Sequence, residues 1–417
     1  MKMRPLLLIL AALPLFAADT PFDWQKAREI YQRSQNGAQL TPDEQKIIEE
    51  AKRRQAAGES PNGQKSPAQP SATPAAAPDS GIKIDWEKAR GLYDRSQRGE
   101  KLSPEDQKYL DEAKRQRGQG GQAGQPQNPQ QNQQPPAAPP QNLVPLTELT
   151  AKYQDQDGGL YGGGKNDPSP ELASRAKQVV AQIRPLNAEG KPAADGKIVF
   201  VSLGMSNTTM EFSVFKRLAD ADTHKASNVV IVDCAQGGRT AAAWAANDQP
   251  WDVAMTRIKA ADVTPAQVQV MWLKQANAGP STGYPAATDQ LRDDIRTDIK
   301  RAREKYPNLR LIFLSSRIYA GYATTRLNPE PYAYEGAFAV RALIRDQPKD
   351  GPVLLWGPYL WTNGEKGRAL DDLKWARDDC GPDGTHPSPK GQEKVAHLLL
   401  DFFTRNLNAK PWFTKPS

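Results

Sequence analysis

Between residues 197 and 356 the chain carries five short apolar runs, Lys197–Leu203, Asn228–Asp233, Val268–Leu273, Leu309–Ser315 and Pro352–Trp356, each bounded by turn or charged residues. Longer stretches with helical spacing lie between them, notably Thr288–Lys305 and Tyr334–Asp346. Runs of strand length that alternate with helices predict an α/β domain built on a parallel sheet covered on both faces. In such a sheet, ligands bind outside the carboxyl ends of the strands. The residues that follow each run are therefore the ones to inspect for chemistry.

The rest of the chain is organised differently. Asp23-Trp24-Gln25-Lys26-Ala27-Arg28 recurs as Asp85-Trp86-Glu87-Lys88-Ala89-Arg90, and the match continues through Tyr31 and Tyr93, Gly37 and Gly99, and Pro42 and Pro104. Each copy, 19–56 and 82–117, reads as a helical hairpin. Its first helix stops at Gly37 or Gly99, glycine being favoured just past a helix end. Its second starts at Thr41-Pro42 or Ser103-Pro104, a capping hydroxyl followed by proline at the first helical position. A pair copied with its Trp and Tyr intact suggests docking modules for a cell-envelope or protein partner; a plain spacer is the alternative. The segments 57–81 and 118–142, rich in Pro, Ala, Ser, Gly and Gln, cannot bury a core and read as disordered linkers. What remains, 143–417, is ample for one α/β domain.

The N-terminus has a basic start, an apolar run over Pro5–Ala18 and small residues before Asp19. This is the pattern of a secretory signal peptide over residues 1–18, too short to span a bilayer. The expected location is secreted or periplasmic, with no transmembrane segment. The formal net charge of +7 is spread through helical stretches also rich in Asp and Glu, with no basic patch interleaved with aromatics. That argues against nucleic acid as a partner. In an exported chain with two cysteines, Cys234 and Cys380, the expectation is that they pair. Such a bridge would tie the loop around Cys380 to the sheet.

Three histidines are present, so few groups can act as a base near neutral pH. His397 falls in an apolar run, where it is a core or helix-surface residue, and His224 sits in a polar stretch where it is solvated. His386 differs: Asp383 precedes it by three positions in a loop leading into the helical run Gln392–Thr404, which can set a carboxylate behind an imidazole. A nucleophile is available at Ser206, just past the first apolar run in Gly204-Met205-Ser206-Asn207. There a glycine allows a sharp turn, and a helix start offers N–H groups to an oxyanion. No Cys/His cluster has metal-ligand spacing, and no cofactor is called for.

Taken in order, Gly204-Met-Ser206-Asn, Gln236-Gly-Gly238-Arg239-Thr240, Gln275-Ala-Asn277 and Asp383-x-x-His386 resemble the SGNH/GDSL hydrolase superfamily over roughly residues 195–405. The first two blocks are also similar to those of its carbohydrate acetylesterases. Met205 stands where that superfamily has Asp in Gly-Asp-Ser, and the third block, Gln-Ala-Asn277-Ala, lacks the Gly and Asp of its Gly-x-Asn-Asp. The resemblance implies a flavodoxin-like three-layer α/β/α fold and an exported serine esterase acting on O-acyl, chiefly O-acetyl, groups of carbohydrate. It implies Ser206 as nucleophile, His386 as general base and Asp383 as its orienting carboxylate. The N–H of Ser206, the N–H of Gly238 (Gly237 if the turn falls one residue earlier) and the side chain of Asn277 become the oxyanion donors. The rival functions are a catalytically inactive carbohydrate- or envelope-binding protein on the same fold, and a scaffold whose hairpins carry the function.

Arg239 and Trp244, beside the Gly-Gly turn, are candidates for contact with a sugar, as aromatic faces pack on carbohydrate rings. Trp272, inside a strand, reads as core. The glycine-dense segment 157–164 reads as an arm lying over the domain, and the charged helix around Asp289–Asp298 as a solvated face.

Overall fold

The computed structural model describes residues 41–56, 102–119 and 142–415, together with positions 23, 26, 30, 85, 92, 139 and 140. It divides into two compact units, Met1–Ala113 and Lys114–Ser417. The expected signal peptide, most of the first helix of each hairpin and nearly all of both linkers lie outside the described residues. Among the described residues, no helix is long and apolar enough to cross a membrane.

In the first unit, helix α1 (Pro42–Ala56) begins on a reciprocal cap: the Glu44 N–H donates to Thr41 Oγ1 at 3.3 Å, and the Thr41 N–H to Glu44 Oε2 at 2.9 Å. Helix α2 (Pro104–Gln119), which starts in this unit, is capped by Ser103, whose Oγ accepts from the Asp106 N–H at 3.1 Å. Ile30 and Leu92, which hold the same place in the two copies of the repeat, are both buried. The Asp85 N–H donates to Tyr109 Oη at 2.6 Å, so α2 is tied to the start of its own copy.

The second unit is an α/β domain. Its helices are α3 (Pro170–Val180), α4 (Ser206–Ala221), α5 (Ala241–Ala246), α6 (Gln249–Ala260), α7 (Ala286–Lys305), α8 (Tyr332–Arg345), α9 (Pro389–Arg405) and α10 (Lys410–Phe413). Its strands are β1 (Ile198–Gly204), β2 (Val229–Val232), β3 (Val268–Lys274), β4 (Leu311–Ser315) and β5 (Val353–Trp356). They form one parallel five-stranded sheet in the order β2-β1-β3-β4-β5, the flavodoxin-like order.

Alternation along the strands sorts the core into two layers. Val199, Val201, Leu203, Met271, Leu273, Ile312 and Leu314 face a cluster completed by Trp244, Trp251, Ile295, Tyr334 and Leu343. Ile198, Phe200, Val270, Trp272, Leu311 and Phe313 face a second one, completed by Phe212, Phe215, Val395, Leu399 and Phe403. Trp272 is core, as its strand position predicts, and its indole N–H donates to Ser315 Oγ at 3.0 Å.

The glycine-dense arm lies on α8: Arg341 donates to the carbonyls of Asp157 and Gly159, and Trp356 Nε1 donates to that of Leu160 at 2.7 Å. The charged face of α7 is laced with Arg292–Asp289, Arg292–Asp293 and Arg296–Asp293 pairs. Asp298 breaks that pattern. It turns inward, is fully buried, and neither carboxylate oxygen has a hydrogen-bond partner among the described residues. Burial raises its carboxyl well above the ordinary range, with the nearby Asp294 adding to the shift.

The cysteines correct the expectation of a bridge. Both are free and buried. Cys234 packs into the first core cluster with its Sγ 3.9 Å from the Ala254 carbonyl, and Cys380 lies in the loop that carries the histidine. That loop is fastened by its backbone instead: the Gly381 N–H donates to the His386 carbonyl at 2.7 Å, and the Ser388 N–H to that of Asp379 at 2.9 Å.

Candidate active site

β1 delivers Gly204 to the carboxyl edge of the sheet, and the chain turns at once into α4, whose first residue is Ser206. The turn is held tightly. Thr208 Oγ1 donates to the Lys274 carbonyl at 2.7 Å, and the Gly204 carbonyl accepts from the Gln236 N–H and from Trp244 Nε1. After β2, Asp233 ties three elements together by accepting from Ser202 on β1 and Thr209 on α4, each at 2.5 Å. The serine's place is thus fixed by the strands on either side of it.

His386 arrives from the far end of the chain. The Asp383-Gly384-Thr385-His386 loop turns at Gly384, with φ +64°, where a Cβ would stand 1.7 Å from the Tyr322 carbonyl oxygen, so only glycine fits. Asp383 Oδ1 accepts from the backbone N–H groups of Thr385 and His386, both at 3.0 Å, and its Oδ2 lies 2.5 Å from His386 Nδ1. On the other side of the ring, Nε2 lies 2.7 Å from Ser206 Oγ. The side chains of His386 and Asp383 keep 27% and 33% of their exposure, so the dyad opens to solvent and to anything that approaches from it.

Burial alone would raise the Asp383 carboxyl. Hydrogen bonds from the His386 and Thr385 backbone and from the imidazole outweigh it and hold the group below the ordinary carboxylate range. It is therefore ionised throughout the neutral range and can orient the ring through Nδ1–H, leaving Nε2 unprotonated toward Ser206.

The other two histidines stand apart. His397 is exposed on α9, and His224 is exposed with Nδ1 2.8 Å from Asp222. Among the described residues, no group of three His, Cys, Asp or Glu side chains is placed to hold a metal ion.

The Gly237-Gly238 turn lies next to the serine: a Cβ on Gly237 would stand 4.0 Å from that of Ser206, while one on Gly238 would meet nothing within 4 Å. Asn277 follows β3 at the same edge. Its Oδ1 accepts from the Ala242 N–H at 2.9 Å, and one Nδ2 hydrogen goes to Asp294 at 2.7 Å. A single amide hydrogen is left for any further acceptor. Arg239 is half-buried beside Gly238.

Trp244 requires correction. It is fully buried, donates to the Gly204 carbonyl, and accepts from Trp251 Nε1 at 3.0 Å. Its ring is tied to the Gly204 turn and, with no exposed surface, cannot meet a sugar. Position after a Gly-Gly turn suggested exposure, but the inward face of the short helix α5 decides otherwise.

Residues to which those motifs assign no role complete the surroundings. Lys274 and Glu211, both with no exposed side-chain surface, form an ion pair between the end of β3 and α4. Burial lowers the Lys274 ammonium to about 8 and raises the Glu211 carboxyl, each against the attraction of the other. Asn207 and Arg317 both donate to the Thr385 carbonyl at 2.9 Å.

No protein-family model and no curated protein matches the chain. Among solved structures, the chain is similar to a carbohydrate esterase family 3 from Talaromyces cellulolyticus (13% identity, TM-score 0.34, covering 48% of this chain and 93% of that one). It is similar to an acetyl esterase mutant with acetate ion (12% identity, TM-score 0.34, 48% of this chain and 94% of that one). It is also similar to the periplasmic domain of a lipopolysaccharide acetyltransferase of Salmonella ser. Paratyphi A (13% identity, TM-score 0.34, 57% and 98%). At such distances the chemistry has to be read from the side chains themselves.

Proposed function

We propose that the protein is a serine esterase that cleaves O-acyl groups, chiefly O-acetyl groups, from carbohydrate through an acyl-serine intermediate. The observation that carries this reading is the continuous line Ser206 Oγ, His386 Nε2, His386 Nδ1, Asp383 Oδ2, with contacts of 2.7 and 2.5 Å. A hydroxyl, an imidazole and an ionised carboxylate in that sequence form a general-base relay for acyl transfer.

Ser206 passes its proton to Nε2 as Oγ attacks the acyl carbonyl carbon. The negative charge moves to the carbonyl oxygen, where the Ser206 N–H, the Gly238 N–H and the remaining amide hydrogen of Asn277 receive it. Asp383 stabilises the imidazolium. Collapse of the tetrahedral species breaks the ester C–O bond, and His386 returns the proton to the departing alcohol. Water then adds to the acyl-serine with His386 again as base, releasing the carboxylic acid and the free serine. In this reading Arg239, beside the Gly237-Gly238 turn, contacts the sugar portion.

The chain is exported, and the N-terminal hairpins dock the enzyme to the envelope or a protein partner. Deleting residues 19–142 should abolish that binding and leave ester turnover intact. The central test combines 4-nitrophenyl acetate turnover with fluorophosphonate labelling in parent, Ser206→Ala and His386→Ala. Parent activity lost in both variants, with labelling confined to Ser206, is the expected result. A folded parent that neither turns over nor labels defeats the reading in favour of a silent binding fold.

A further inference from the structure

Arg317 lies two residues past β4 and is 2% exposed, a guanidinium drawn entirely into the interior. Its Nη2 donates to the Thr385 carbonyl at 2.9 Å, at the peptide that leads into His386. Its Nε donates to Asn328 Oδ1 at 2.9 Å, and Asn328, also buried, turns its amide onto the Asn277 carbonyl at 3.0 Å. The Thr385 carbonyl receives a second donor from Asn207, the neighbour of Ser206. One unbroken chain of side chains therefore runs from beside the nucleophile, through the peptide preceding the base, to the backbone of Asn277.

We infer that Arg317 is a positioning residue that sets the His386 loop and the Asn277 loop in one mutual arrangement. The inference rests on the serine-esterase reading of the site. Burying a guanidinium is costly, and among the described residues no carboxylate lies within ion-pair distance of it. Glu211 and Glu330 attract it from further off. Such a charge is tolerated where its geometry is needed. Two bonds leaving the same planar group in different directions, one from Nη2 and one from Nε, are what an arginine fork can hold and a lysine ammonium cannot. Arg317 touches no reacting atom; it acts through Thr385 and Asn328.

Reaction geometry is steep in distance, and a displacement of about 1 Å costs on the order of a hundredfold in rate. Arg317→Lys should therefore lower kcat for 4-nitrophenyl acetate by roughly 10- to 100-fold with KM little changed. Fluorophosphonate labelling of Ser206 should slow in parallel. Asn328→Ala, which leaves the Arg317–Thr385 bond in place and cuts the branch to Asn277, should give a smaller kcat loss, again without a KM change. The double variant should lose less than the product of the two single losses, because both cut the same bridge.

A folded Arg317→Lys protein with parental kcat overturns the inference. So does a loss of equal size in KM and kcat that follows thermal stability. Should Arg317→Lys fail to fold, Asn328→Ala decides: parental kcat there removes the coupling to the Asn277 loop. A parent that does not label with fluorophosphonate brings down the serine reading and this inference together. A labelled parent with insensitive Arg317 and Asn328 variants brings down this inference alone.

Discussion

Gly204 and Lys274 face each other across the β1–β3 ladder so closely that a Cβ on Gly204 would stand 2.3 Å from the Lys274 carbonyl oxygen, and equally close to Thr208 Oγ1. No side chain fits between two strands at that spacing without moving backbone. Gly204→Ala should destabilise the domain by about 2–3 kcal/mol. Because Ser206 is two residues on, esterase activity should fall further than stability alone explains. Urea unfolding alongside 4-nitrophenyl acetate turnover checks both. An alanine variant as stable and active as the parent would show that the turn has slack.

Asp383→Asn should reduce kcat by about a thousandfold or more, because an amide in that place no longer enforces the productive tautomer. The same variant reports on stability. The folded carboxyl is held below its unfolded value, so the folded state binds fewer protons and its contribution is present above about pH 4 and lost as pH falls through the depressed value. The stability difference between parent and Asp383→Asn should be constant above about pH 5 and shrink below about pH 4. A difference that grows on acidification contradicts the assignment.

Asp298 gives the opposite sign. Its folded carboxyl is raised, so stability is full below the unfolded value near about pH 4 and drains away as pH rises towards the folded value. Asp298→Asn removes that loss. The variant should be more stable than the parent at neutral pH by about 1–2 kcal/mol, with the advantage gone by about pH 4. Thermal unfolding at the two pH values measures it, and equal gains at both would rule out the ionisation as the cause.

Lys274→Met leaves the Glu211 carboxyl buried without its partner and should cost about 3–5 kcal/mol. Adding Glu211→Leu removes the stranded charge and should restore most of that loss. Chemical denaturation of the two variants and the parent distinguishes this from simple loss of packing, for which the second change would deepen the defect.

The sheet was legible because its strands are apolar on both faces and punctuated by turn residues, and each observed strand end lies within about two residues of the run that predicts it. That Ser206, Asp383 and His386 could meet was legible because each carries a local mark: a glycine turn at a strand end, and an acid three residues before a histidine. Arg317 and Lys274 left no such mark, and Asn207, though it belongs to the Gly204–Asn207 block, carried no sign of the contact it makes. Their partners, Thr385 and Glu211, lie far along the chain, and nothing in the spacing of an isolated arginine or lysine announces a buried role. Trp244 was misread for a related reason, since the side of α5 that packs inward is set by α7 and not by the turn before it. The cysteine pair was inferred from compartment alone, and compartment says nothing about whether two thiols meet.

Those two thiols have a use that a bridge would have denied them. Cys234 sits in the core layer against α6, whereas Cys380 sits in the loop that presents the histidine, and both are almost wholly shielded. Burial pushes the Cys380 thiol up to about 11 and raises that of Cys234 further still, so neither is a thiolate near neutral pH. An alkylating reagent therefore reaches each only when its own surroundings part. The ratio of modification at the two sites is a native gauge, needing no introduced label, of whether the Asp383–His386 loop breathes by itself or only when the whole domain comes undone.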